Sequence, residues 1–261
     1  MRPLTIVLSL KAVLLWSALA LSAAETAVPD VRLAPADIQM DAFYSGVNVR
    51  LQGHVPNGST VLVVVRGGDR DETFFRKHRL GPIWINSGRV RVSRVPSLFL
   101  RLSQGPVRDF LSREALDRHQ LDETAIVNQM RMEPLEDAEV VLQSWLTLKA
   151  QEGTYALIRD AIRMGEPGPD STAFVGAFHW PKKAPAGTYD VRVYACQQDS
   201  IVAMTQVDLW VHEVGFPARL SAMALDHSLL YAILCVVVAA IAGFGLDSLV
   251  AVVFNSKASA H

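Results

Sequence analysis

Apolar and polar residues alternate from Val47 onward, where Val47, Val49, Leu51 and Val55 are interleaved with Asn48, Arg50, Gln52 and His54. A period of two is that of a strand with one face buried. Asn57-Gly58 comes next and predicts a tight hairpin turn. The run Val61 to Val65 is apolar on both parities, which predicts a strand in a sheet interior. Further strands are expected at 84–85, 89–95, 97–102, 172–180, 188–196 and 201–214, with turn residues between them. The pattern changes between Val107 and Met164. There Val141, Trp145 and Leu148, then Tyr155, Ile158 and Ile162, recur at spacings of three and four, so a helical insertion is expected over about 105–165.

The two ends are more apolar than the middle. Residues 1–24 read as a signal peptide, with Arg2 at the positive start, an apolar run from Ala12 to Leu21, and Ser22, Ala23 and Ala24 as small residues for cleavage. An uncleaved signal anchor is the alternative. At the other end, Ser228 to Leu246 carries no charge and is long enough to span a bilayer; Asp247 interrupts the run, which resumes from Ser248 to Phe254. The layout expected is therefore an exported domain over 25–227, a transmembrane helix over 228–254 and a cytoplasmic tail over 255–261.

Half of the 261 residues are hydrophobic, enough for a substantial core. Setting aside Arg2, Lys11, Lys257 and Asp247 leaves 22 basic against 25 acidic residues in the exported domain, a balance that does not suit nucleic acid. Of the two cysteines, Cys196 belongs to the domain and Cys235 to the membrane segment, so no internal disulfide is expected. Within Pro185 to Val193, Tyr189 follows Gly187 and enters an alternating valine strand, in the manner of the tyrosine corner of immunoglobulin-like sandwiches. The fold class expected is mostly β: an immunoglobulin-like sandwich with a helical insertion and one C-terminal transmembrane helix.

Several residues carry a resemblance: Arg76-Lys77-His78-Arg79 with Gly81, Trp84 and Asn86; Val95-Pro96-Ser97; Leu148-Lys149 with Gly153 and Tyr155; and Pro185 to Tyr189. Together they resemble a family of transmembrane proteins typical of alphaproteobacteria. Leu98 stands where that family has an aromatic. The resemblance implies the same layout over nearly the whole chain and no assigned activity; with the signal peptide setting the orientation, the expected placement is the inner membrane of a bacterium with the main domain in the periplasm. The resemblance also implies an association with permeases of the sulfite-exporter type.

Candidate chemistry is sparse. The basic run Arg76 to Arg79 beside Trp84 and Asn86 could hold an anion or a lipid headgroup, with Arg76, Lys77, Trp84 and Asn86 as ligand-binding candidates; a solvated turn before a core tryptophan is the simpler alternative. The seven histidines lack metal-ligand spacing, and neither a metal nor a cofactor is expected. Cys196 and His212 share a face of an expected hairpin, but residue numbers across that hairpin should sum to about 398, which places His212 opposite Ala186 and far from Cys196. No nucleophile elbow or phosphate-cradling loop is present, so catalysis is the minority reading. In the membrane segment, Ala239 and Gly243 would let another helix approach, and Asp247 would face protein or water if the span continues past it. The leading expectation is a noncatalytic accessory protein that docks through Ala239, Gly243 and Asp247 onto a polytopic membrane partner. A tethered module that binds a small anion or acts as an enzyme is the rival.

Overall fold

The computed structural model describes residues 29–133 and 138–258, so the signal-peptide segment 1–24 lies outside the described residues. Thirteen strands and five α-helices are described, and the protein is mostly β. Strands β1 (Asp30–Ala34), β3 (Val47–Pro56), β10 (Ile162–Pro167) and β11 (Ser171–Trp180) form a four-stranded sheet in the order β1-β3-β11-β10. A six-stranded sheet has the order β2-β13-β12-β4-β7-β9. Its members are β2 (Asp37–Met40), β4 (Thr60–Gly67), β7 (Phe99–Ser103), β9 (Tyr155–Ile158), β12 (Gly187–Gln197) and β13 (Ser200–Glu213). Strands β5 (Asp69–Leu80), β6 (Ile83–Pro96) and β8 (Arg131–Glu133) make a third, three-stranded sheet.

The expected alternation from Val47 holds along β3, where Val49, Leu51 and Val55 are buried. They meet Phe174, Phe178 and Trp180 of β11 and the odd-numbered valines of β4, namely Val61, Val63 and Val65, in one core between the two larger sheets. The even-numbered Leu62 and Val64 point the other way, into a second core with Val90, Val92, Phe99, Tyr155, Tyr194 and Trp145. That is why β4 is apolar on both parities: it is the middle of three layers. The third layer holds the β5-β6-β8 sheet and helices α1 (Arg113–Arg118), α2 (Glu123–Gln129) and α3 (Ala138–Glu152).

Two expectations are corrected. Asn57-Gly58 does form a turn, with Ser59 N donating to Pro56 O at 3.2 Å, but β3 and β4 belong to different sheets and no hairpin joins them. A two-residue hairpin of the Asn-Gly type needs positive φ at both central residues. Here Gly58 has φ 75°, whereas Asn57 is not among the residues with positive φ. The Asn57 side chain ties the crossing down by accepting from Thr172 Oγ1 at 2.7 Å and donating to Gly168 O at 2.9 Å. The second correction concerns Tyr155, Ile158 and Ile162, which lie in β9 and β10, not in a helix. Their spacing does not mark one surface, because Tyr155 packs in the second core while Ile158 and Ile162 pack in the first. The helix before them stops at Gly153, whose φ of 72° suits glycine at a helix end.

After β13 the chain enters α4 (Gly215–Asp226) and then α5 (Ser228–Ala258). The stretch Ser228–Leu246 of α5 is long and apolar enough to cross a membrane, and none of it is buried against the other described residues.

Candidate functional site

The basic run lies in a strand, not a turn. Residues 69–80 and 83–96 pair as a long antiparallel hairpin closed by Gly81-Pro82, with Leu80 opposite Ile83. Gly81 has φ 62°, and proline fixes φ near −65° at the next position; glycine first in a two-residue loop is the type II′ arrangement that suits strand twist. Along β5 burial alternates: Asp71, Thr73, Phe75 and Lys77 are exposed, while Glu72, Phe74 and Arg76 are half-buried. Arg76 therefore faces the α3 side and Lys77 the opposite side.

A bulge between Arg76 and Lys77 leaves Ser87 unpaired and resets the register of β6. Beyond it Lys77 is opposite Asn86, and Arg79 is opposite Trp84. The structure thus brings Lys77 to Asn86 and places Trp84 next to Arg79, but sets Arg76 on the other face. The Trp84 side chain lies outside the described residues. Nearer the base, the Arg89 guanidinium sits 5.6 Å from the centre of the Phe75 ring.

The base of the hairpin is locked to α3 by a charge network that sequence reasoning did not find. Glu72 accepts from Lys149 Nζ at 2.7 Å, from Arg70 Nε at 2.7 Å and from Trp145 Nε1 at 3.2 Å. Lys149 is 2% exposed, and its ammonium also lies 5.8 Å from the Trp145 ring centre and 6.0 Å from that of Phe74. Burial by itself would raise the Glu72 pKa, but the hydrogen bond and charge of Lys149, with Trp145 and Arg70, outweigh it and hold the carboxyl below its ordinary value. Above this network a cavity of about 370 Å³ opens between hairpin and helix, bordered by Phe74, Arg76 and Lys77 of β5 and by Val141, Trp145 and Leu148 of α3.

Cys196 and His212 are far apart, as the sequence register requires. Gly187 is opposite Val211 and Cys196 opposite Ile201, so the two residues sit near opposite ends of the hairpin. His212 Nδ1 is 3.0 Å from Asp37 Oδ1 instead, and burial pushes the Cys196 thiol up to about 12, which suppresses the reactive thiolate.

In α5, Ala239 and Gly243 are exposed, and the other described residues do not bury this part of the helix. Asp247 lies in the same continuous helix, and its side chain is outside the described residues. A helix of 31 residues is about 46 Å long at the standard rise, more than one bilayer core. A family model described as "Putative transmembrane protein (Alph_Pro_TM)" matches residues 30–255. The chain belongs to this family. No curated protein and no solved structure matches it.

Most of the residues that carried the resemblance to the Alph_Pro_TM family sit around the hairpin base. Tyr155 Oη donates to Pro96 O at 2.7 Å, Ser97 N donates to Gly68 O at 3.0 Å, and Thr154 N donates to Lys149 O at 3.1 Å. Tyr189 Oη donates to Pro185 O at 2.5 Å, and its ring meets Trp180 edge-on with centroids 4.6 Å apart. Burial pushes the Tyr189 phenol up to about 12. These are structural roles: they hold the hairpin to the sheet end from which it leaves.

Proposed function

We propose that the protein is a noncatalytic accessory protein, anchored by α5 in the inner membrane of a bacterium with its β-rich domain in the periplasm, and docked through α5 onto a polytopic membrane protein. A permease of the sulfite-exporter type is the partner class favoured. The observation that carries the reading is the 19-residue apolar stretch Ser228–Leu246, which the described residues of the fold leave unburied. Small residues at Ala239 and Gly243 would let a second helix approach closely, and Asp247 would find a polar partner there. In this reading residues 1–24 are the export signal.

The sandwich is read as immunoglobulin-like. Three features support this: the sheet order β1-β3-β11-β10, the neighbours β13-β12-β4 in the facing sheet, and the tyrosine hydroxyl bonded to backbone four residues upstream.

The test is affinity isolation of the full chain from gently solubilised native membranes, against a version in which residues 228–261 are replaced by an unrelated membrane anchor. A stoichiometric membrane protein recovered with the native helix and lost with the substitute is the expected result. Gly243→Leu or Asp247→Leu should lower that recovery while the β-rich domain keeps its melting temperature. Equal recovery by both anchors, or unchanged recovery in both variants, would refute docking through the helix.

A further inference from the structure

We propose that the distal half of the β5–β6 hairpin is a membrane-surface contact, seating on anionic lipid of the bilayer that holds α5. The inference rests on α5 crossing a membrane, and three independent features lead to it.

The first is charge. From Thr73 to Arg108 the sequence contains no acidic residue, in a domain that otherwise carries more acid than base. Lys77, Arg79 and Arg89 are exposed on the outer side of the hairpin. The second is apolar exposure at the tip. Leu80, Ile83 and Ile85 are 59%, 57% and 39% exposed, with Leu80 directly opposite Ile83 across the turn. Leu80, Ile83 and Ile85 stand on the opposite face of the strand pair from Lys77 and Arg79, so the hairpin seats end-on: the aliphatic tip enters the acyl boundary and the cations just behind it meet lipid phosphates.

The third is place. Gly67, the last residue of β4, pairs with Tyr189, which pairs with Leu209 near the end of β13. The hairpin thus leaves the central sheet at the same end as the chain that runs to the membrane helix. Only α4 lies between, a 12-residue helix of about 18 Å that buries none of its residues and exposes Phe216 and Leu225. Tethering at that distance keeps a bilayer at high effective concentration. A protein partner suits the tip less well, since a two-residue turn is convex and offers little surface to bury.

The test uses the full chain in lipid nanodiscs, which leave both membrane faces accessible. In a Cys235→Ser background the buried Cys196 stays unlabelled, and an environment-sensitive fluorophore is attached at Ile83→Cys or, as the control, at Asp170→Cys. Asp170 is exposed and adjoins Ser171, which pairs with Pro56 at the opposite end of the sandwich. In discs of phosphatidylethanolamine with phosphatidylglycerol, the probe at residue 83 should shift to the blue and resist acrylamide quenching, while the probe at 170 should not. Pure phosphatidylcholine discs or high salt should remove the protection. Each basic residue contributes about fivefold near an anionic surface, so the double variant Lys77→Gln, Arg79→Gln should lower the docked-to-free ratio roughly 25-fold. Equal quenching at 83 in anionic and neutral discs would overturn the proposal. So would protection that appears only in native membranes, which would make the occupant a protein. Failure of α5 to insert is read separately, as failure of the chain to co-elute with the discs.

Discussion

Lys149 is a cation that the fold has removed from water and placed 2.7 Å from Glu72, with Trp145 and Phe74 around it. Removing one member of a buried pair costs up to about 3–5 kcal/mol, and because Glu72 would keep Arg70 and Trp145 the loss of Lys149 belongs at the lower end, about 3 kcal/mol. Lys149→Met in the full chain should lose that much in urea denaturation, and adding Glu72→Gln should restore part of it. The pH dependence has a definite sign. The folded pKa of Glu72 lies below its ordinary value of about 4.3, so the pair's contribution is complete above that value and is lost as pH falls through the lower folded pKa. Lys149→Met should therefore flatten the acid limb of the stability curve below about pH 4.3. This network was not legible in the sequence because its partners are 77 residues apart and nothing near Glu72 distinguishes it from other acidic residues. Local chemistry was legible: Tyr189, two residues after Gly187, was expected to anchor a corner, and its hydroxyl does bond to Pro185 O.

At the level of elements, legibility follows the reach of the signal. The buried core of β3, the doubly buried β4 and the register of the β12–β13 hairpin were all readable, because one strand's own periodicity encodes which faces are covered. Strand β5 was not, because its projecting half carries charges on one side and only partial cover on the other, so that the run Arg76 to Arg79 suits a solvated turn as well as a strand. Strands β9 and β10 were missed because their apolar residues serve two different cores. The hairpin's dependence on its turn can be tested. Gly81→Val places a β-branched residue at φ 62°, which costs about 1–2 kcal/mol. Hydrogen exchange should show faster opening of amides between Phe75 and Arg89, with those of β3 and β11 unchanged. Uniform loosening of every strand would mean that the hairpin is part of the global folding unit and does not open by itself.

The whole molecule turns on one shared sheet. β4 offers Val61, Val63 and Val65 to the sandwich core and Leu62 and Val64 to the helical layer, so neither core can lose its packing without exposing one face of the same strand. β7 does the same with Leu100 and Phe99. Two cores built on common strands should unfold together, even though one is all β and the other is partly helical. The substitutions that distinguish this from independent units lie away from β4: Leu51→Ala in the sandwich core and Leu116→Ala in α1, at positions 0% and 2% exposed. Each should cost about 2–5 kcal/mol through the cavity it leaves. In hydrogen exchange on the full chain, each should lower the protection of slow amides in β11 and in α3 by the same factor, because both layers reach exchange through one global opening. If Leu116→Ala releases α3 while β11 keeps its protection, the helical layer is a separately opening unit and the hairpin locked to it by Glu72 and Lys149 would move with it. That result would make the hairpin's position relative to the membrane adjustable; the coupled outcome makes it a fixed extension of the sheet from which the membrane anchor also departs.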